Sequence, residues 1–280
     1  MKKIINNQNI HPDLKKSPNN SDNENSIFIP NGQSIGASAA IAWIGDAWDF
    51  ITPKLGMWIL MGIIYGAISL GIEFIPYFGF ILSNLLEPLF FAGIIAICET
   101  QRITGKFELG KLFYGIYNKC GALLAVGIII CGIKILGSLI SALLDGKDLY
   151  QSILDDLFLY SNYDSMIIGS DSEISFLSFF TLLISLFLSS ACSWFTSALI
   201  ILNNFNVKKA LLTSLKAIWK NLSEVLLFLL FMYLLIFISA IPLFLGLFFT
   251  GPLNLATSYT SYRSIFYKQE SKKDEIAMIS

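Results

Sequence analysis

Two charged side chains lie deep inside long apolar runs of this sequence, Glu87 in residues 78–98 and Lys134 in residues 120–144. If both runs cross a membrane as helices, Glu87 lies about 13 Å and Lys134 about 15 Å from the outer surface. A lone charge at that depth costs at least about 2.5–3.5 kcal/mol. The matching depths predict that Glu87 and Lys134 meet, directly or through water, either as a structural ion pair or as part of a substrate or proton site.

A third polar candidate, Asn254, lies two residues after Pro252 in the run 243–262, and Pro88 directly follows Glu87. Proline removes a backbone N–H and interrupts a helix. Paired interruptions at corresponding places in two spanning helices are typical of transporter sites, although packing kinks are the alternative. We therefore predict a mid-membrane polar site of Glu87, Lys134 and Asn254, and we assign no catalytic, cofactor-binding or metal-binding residue.

The composition places these residues in a membrane protein. The chain has 280 residues, of which 55% are hydrophobic and 14% are charged, and its mean hydropathy is +0.66. Soluble domains carry about 25% charged residues. The composition therefore excludes a disordered chain, a nucleic-acid-binding protein and an ordinary soluble enzyme. The sequence also lacks the GxSxG, HExxH and phosphate-loop motifs, so we expect a protein without enzymatic activity.

Six apolar runs predict an all-α, polytopic bundle, because about 20 helical residues cross a bilayer. The predicted spans are residues 56–72, 78–98, 120–144, 176–202, 225–241 and 243–262. They lie in a membrane domain of residues 37–267, between a disordered tail of residues 1–36 and a second tail of residues 268–280. Near the span ends, 13 basic residues fall on one side and Lys147 alone on the other. This asymmetry predicts a bacterial inner-membrane protein with both termini in the cytoplasm.

Short amphipathic stretches precede each pair of spans and predict three cytoplasmic interfacial helices. Their apolar positions are Ile41, Ile44, Trp48 and Ile51, then Leu109, Leu112, Phe113 and Ile116, then Leu211, Leu215, Ile218 and Leu222. In the third stretch, lysines 209, 216 and 220 line the opposite side, which favours contact with anionic lipid headgroups. Simple anchoring to the bilayer and lipid sensing are both consistent with this pattern.

Two polar segments lie outside this pattern. The outer loop of residues 145–175 holds seven acidic residues and predicts a solvated loop with a short surface helix at residues 148–158, although a calcium site is the alternative. At the cytoplasmic end of the last span, Tyr259, Tyr262 and Arg263 predict an anchor at the membrane interface, with a gate at the inner face as the alternative.

The segment 258–266, Ser-Tyr-Thr-Ser-Tyr-Arg-Ser-Ile-Phe, and the segment 87–93, Glu-Pro-Leu-Phe-Phe-Ala-Gly, carry a family resemblance. Over residues 37–267 the chain resembles an uncharacterised bacterial family of six-span integral membrane proteins, typified by a hypothetical membrane protein from Burkholderia. The resemblance implies the same fold and location and no particular activity. Together with the residues, it leaves two hypotheses: a non-enzymatic envelope protein that binds lipid or a partner protein, or a small transporter of an amphiphile or metabolite.

Overall fold

The computed structural model describes residues 26–36, 38–76, 78–146 and 175–269. Most of the described chain is helical. In chain order the helices are α1 (Ala39–Ile51), α2 (Leu55–Glu73), α3 (Gly79–Thr104), α4 (Tyr114–Leu144), α5 (Phe176–Ser193), α6 (Thr196–Asn203), α7 (Val207–Lys220), α8 (Leu222–Ala240) and α9 (Leu247–Phe266). Strands β1 (Ser26–Phe28) and β2 (Tyr267–Gln269) pair antiparallel.

Five helical segments are long and apolar enough to cross a membrane, and they correspond to the first five predicted spans. They are Ala39–Glu73, Gly79–Thr104, Leu109–Leu144, Phe176–Asn203 and Leu222–Ala240. The membrane character and the all-α class predicted from the sequence are therefore supported. The sixth predicted span forms helix α9 of 20 residues, but it does not reach the same apolarity because threonine, serine, asparagine and arginine side chains interrupt it.

Several elements differ from the predicted bounds. The fourth predicted span is two helices, α5 and α6, which are separated at Trp194 and Phe195. Helix α4 begins before its apolar run and carries a kink at Lys119, and the second amphipathic stretch is a 3₁₀ turn, Leu109–Phe113, that leads into it. Lys119 is the last polar residue before the apolar run. A single kinked helix therefore includes both the end of the predicted interfacial stretch and the predicted span.

The two other amphipathic stretches form helices of their own. Helix α1 turns Ala40, Trp43 and Ala47 toward the core, mainly against α9, and leaves Ile41 and Trp48 exposed. In α7 the four lysines and Trp219 are exposed, while Ala210, Ser214, Ala217 and Ile218 are buried.

The N-terminal segment of residues 26–36, assigned to the disordered tail by composition, packs on the helices. Asn221 is fully buried; its amide donates to the Gln33 carbonyl at 3.0 Å, and its side-chain oxygen accepts the Ile35 N–H at 3.1 Å. Gln33 in turn donates to the carbonyl of Ser264 at 2.9 Å. These long-range hydrogen bonds and the β1–β2 pair hold the segment, and Phe28 and Ile35 also pack against the hydrophobic core. The predicted tail of residues 1–25 and the predicted loop helix and calcium alternative at residues 147–174 lie outside the described residues.

Candidate functional site

A partly enclosed cavity of about 260 Å³ lies between helices α3, α5, α6, α8 and α9. Its polar lining residues are Glu87, Ser190, Ser193, Ser197, Asn254 and Ser258. Its apolar lining residues are Pro88, Phe91, Trp194, Phe228 and Leu229. The cavity therefore offers hydrogen-bonding groups and hydrophobic surface to the same occupant, which is the character of a small-molecule site.

A break in the chain of helices forms one wall of the cavity. Helix α5 ends at Ser193 and α6 begins at Thr196, so Phe195 lies outside the regular ladder, with φ −104° and ψ −5°. The buried hydroxyl of Ser214 in α7 accepts the Phe195 N–H at 3.1 Å and donates to the Ala191 carbonyl at 2.7 Å. One side chain thus forms hydrogen bonds with backbone groups on both sides of the break. These bonds stabilise a non-helical turn inside an apolar bundle.

Two helices near the cavity, α3 and α9, each contain a proline and continue through it. Pro88 in α3 lacks an N–H, and its carbonyl accepts a hydrogen bond from the Ser197 hydroxyl at 3.1 Å, which joins α3 to α6. Pro252 in α9 packs against Gly62 of α2, where an added Cβ would lie 3.1 Å from the proline ring. The prolines that the sequence indicated thus lie beside the lining residues Glu87 and Asn254, in helices that continue through them.

The structure brings two of the three predicted site residues together. Glu87 and Asn254 both line the cavity, whereas Lys134 is not among its lining residues. Lys134 instead donates a 2.6 Å hydrogen bond to the side-chain oxygen of Asn84, which lies one turn before Glu87 in α3. Within the described ranges, Glu87 and Lys134 form no ion pair, so the direct contact predicted from their depths is absent. A water-mediated contact stays a prediction.

A second polar centre, which the sequence pattern did not indicate, joins the ends of α3 and α9. Glu99, only 4% exposed, forms an ion pair of 2.5 Å with Arg102. The Tyr259 hydroxyl donates to the other Glu99 oxygen at 2.5 Å and accepts from the Arg102 Nε at 3.0 Å. We call these three residues the Glu99 cluster. Because its donors and acceptors satisfy one another, the cluster stabilises the α3–α9 contact and offers no vacant position for a ligand.

The predicted interfacial anchor at the end of α9 is wrong for its two tyrosines. Tyr259 is 2% exposed and Tyr262 is fully buried, so both rings pack inside the protein. Tyr262 donates to the side-chain oxygen of Asn203, while Arg263 lies 4.1 Å from the centre of the Tyr267 ring. The spacing of Glu99 and Arg102 at i, i+3 could have indicated the helix ion pair. Nothing local could have indicated the tyrosine, which lies 160 residues away.

Comparison with known proteins finds no matching family model, curated protein or solved structure. Within the part of the chain that the structure describes, no group of three or more His, Cys, Asp and Glu side chains is placed to hold a metal ion. The cavity is therefore the feature of the structure that bears on function.

Proposed function

We propose that this chain is a non-enzymatic integral membrane protein of a bacterial inner membrane that binds an amphiphile in the cavity beside Glu87. The single observation that carries the proposal is the cavity lining, in which Glu87, Asn254 and four serines face Phe91, Trp194, Phe228 and other apolar side chains. A molecule with a polar head and an apolar body satisfies both surfaces. A cavity of about 260 Å³ favours such a small molecule over a partner protein.

The membrane topology belongs to the same proposal. We infer that α9 crosses the membrane as a sixth span, because its 20 residues are long enough and its Thr257 and Ser261 hydroxyls are buried and bonded to carbonyls of the same helix. Both termini then lie in the cytoplasm. There the exposed lysines and Trp219 of α7 contact anionic lipid headgroups, as the interfacial position of tryptophan and lysine favours.

The test is retention of a small amphiphile by the purified protein. Ser193 lines the cavity at the end of α5, and Ser193→Leu fills part of it. Thr181→Leu is the matched control, since Thr181 is on the same helix, bonds a carbonyl of that helix as Ser193 does, and is not a lining residue. Native mass spectrometry after extraction in mild detergent should detect a retained molecule in the wild type and in the control but not in Ser193→Leu. Equal retention by all three proteins would refute the proposal.

Transport is a second candidate function, favoured by the break between α5 and α6 at the cavity wall. Pro88 also lines the cavity and Pro252 lies two residues from Asn254, although α3 and α9 continue through these prolines. Discontinuous helices near a mid-membrane site are typical of secondary transporters. Uptake of the retained molecule into proteoliposomes above the level of Ser193→Leu would support transport, and binding without uptake would leave the binding function alone.

A further inference from the structure

We propose that the occupant of the cavity is a protonated amine with an apolar body, held by the Glu87 carboxylate and by the oxygens of Ser193 and Ser197, whose own protons are already donated. This inference rests on the proposed binding function and names its ligand class. It follows from the direction of the hydrogen bonds around the cavity, from the charges on its lining and from the placement of its aromatic rings.

Two of the four serine hydroxyls that line the cavity donate their protons to backbone carbonyls. Ser193 donates to the Ser190 carbonyl at 3.1 Å, and Ser197 donates to the Pro88 carbonyl at 3.1 Å. A carbonyl oxygen cannot donate, so the direction of both bonds is fixed by chemistry. The remaining lone pairs of Ser193 and Ser197 are acceptors. A ligand that meets these two hydroxyls must therefore bring its own N–H or O–H donors.

The charge on the lining favours a cationic ligand. Glu87 is the only charged residue of the lining, and it has no hydrogen-bond or ion-pair partner among the described residues. Pro88 has no N–H to offer, and the Trp194 N–H points to the Ser261 hydroxyl at 3.5 Å. The lining thus holds one negative charge and no basic side chain. An anionic head, such as a phosphate or a carboxylate, would be repelled by Glu87, and the lining offers it only neutral donors, such as the Asn254 amide, and no basic side chain.

The aromatic rings add a second attraction for a cation. Trp194 and Phe228 both line the cavity and pack edge to face, with ring centres 5.5 Å apart and an interplanar angle of 73°. The face of a tryptophan or phenylalanine ring attracts an ammonium group, and it attracts the group more strongly where water is excluded. The cavity is slightly smaller than the roughly 300 Å³ at which drug-sized pockets begin, so it suits an amine head and a short chain.

The experiment measures binding of four six-carbon probes to the full chain in detergent at pH 7. The probes are hexylamine, hexanol, hexanoate and N,N,N-trimethylhexylammonium, which share an apolar body and differ in charge and in N–H donors. Hexylamine is protonated at this pH, as a lysine side chain is. We expect it to bind at least about tenfold tighter than hexanol, the factor that one charge-assisted hydrogen bond supplies. Hexanoate should bind most weakly, and the trimethylated amine should bind more weakly than hexylamine because it has no N–H.

Glu87→Gln should weaken hexylamine binding by at least about tenfold, more than it weakens hexanol binding, and so remove the preference for the amine. Glu73→Gln is the matched control, because it removes the same charge from an exposed position at the end of α2, outside the cavity. Equal binding of the four probes in the wild type, or a preference for hexanoate, would overturn the assignment. Equal binding of the primary and trimethylated amines would overturn the role of the N–H donors.

Different results would contradict the amphiphile cavity and the amine assignment. If Ser193→Leu blocks every probe but the amine is not preferred, the amphiphile cavity stands and the amine assignment falls. If Ser193→Leu changes the binding of no probe, the cavity is not the binding site and both proposals fall. The probe series in the wild type tests the amine assignment even if Glu87→Gln does not fold.

Discussion

Replacing Tyr259 by phenylalanine should destabilise the protein more than its small change in volume suggests. The substitution removes one oxygen atom from a ring that is 2% exposed. That oxygen donates to Glu99 at 2.5 Å and accepts from the Arg102 Nε at 3.0 Å. Its loss leaves a buried carboxylate without one of its donors and a guanidinium N–H with one partner fewer.

The size of the effect follows from these contacts. A hydrogen bond to a charged group contributes about 1.5–3 kcal/mol, and an unsatisfied buried group costs a comparable amount. Arg102 still forms its 2.5 Å ion pair with Glu99 in the variant, so the cost stays below the roughly 3–5 kcal/mol that follows when a buried pair loses a partner. We expect Tyr259→Phe to lower the free energy of unfolding by about 2–3 kcal/mol.

The assay is reversible unfolding in mixed detergent micelles, followed by tryptophan fluorescence. Tyr233→Phe in α8 is the matched control, because it makes the same chemical change on a ring that is 68% exposed. Substitutions at such positions usually change stability by less than about 0.5 kcal/mol. If Tyr259→Phe and Tyr233→Phe have the same small effect, the Glu99 cluster does not hold α3 to α9 in the way the distances indicate.

A double-mutant cycle isolates the cause. If the tyrosine matters because it donates to a carboxylate, then Tyr259→Phe should cost less in a Glu99→Gln background than in the wild type. Additive effects of the two changes would refute that reasoning, even if Tyr259→Phe alone were strongly destabilising.

Two further predictions concern packing and the N-terminal segment. Gly93→Ala should lower the free energy of unfolding by at least about 1–3 kcal/mol, because its Cβ would lie 1.8 Å from the Leu112 carbonyl oxygen. Gly132→Ala is the control, since no atom lies within 4 Å of its Cβ, and it should be neutral or slightly stabilising in the same unfolding assay. Asn221→Ala removes the partners of the Gln33 carbonyl and the Ile35 N–H, so amide exchange across residues 26–36 should accelerate. Unchanged exchange would show that these bonds do not hold the segment.

Most of the long helices were predicted from the sequence, because a helix that crosses the hydrocarbon core needs an apolar run of about 20 residues. The sequence predicted their ends less well, because a helix continues as long as its backbone hydrogen bonds do. Helix α4 therefore begins at Tyr114 although its apolar run begins at residue 120. The break between α5 and α6 was invisible in composition, since it depends on the Ser214 hydroxyl from another helix.

The site was predicted in part for a similar reason. The number of residues from the end of a span gives the depth of a side chain along the helix axis, and these numbers are similar for Glu87 and Lys134. The number does not give the direction in which the side chain points. Asn84, three residues before Glu87, faces helix α4 and receives the Lys134 ammonium, while Glu87 turns to the cavity. Asn254 lies in the lining as Glu87 does, two residues after Pro252 in a helix that continues through the proline.

The partners of the charged groups in α3 and α4 support the cavity as the functional centre. Glu99 and Arg102 pair with each other and with Tyr259, and Lys134 pairs with Asn84. Glu87 has no such partner among the described residues, although it lies in the same apolar helix as Glu99. A charge inside a membrane needs compensation, which protein, water or ligand can provide. The acceptor oxygens of Ser193 and Ser197 and the aromatic rings near Glu87 therefore favour a cation from outside the chain as this compensation, which is the proposal that the probe series tests.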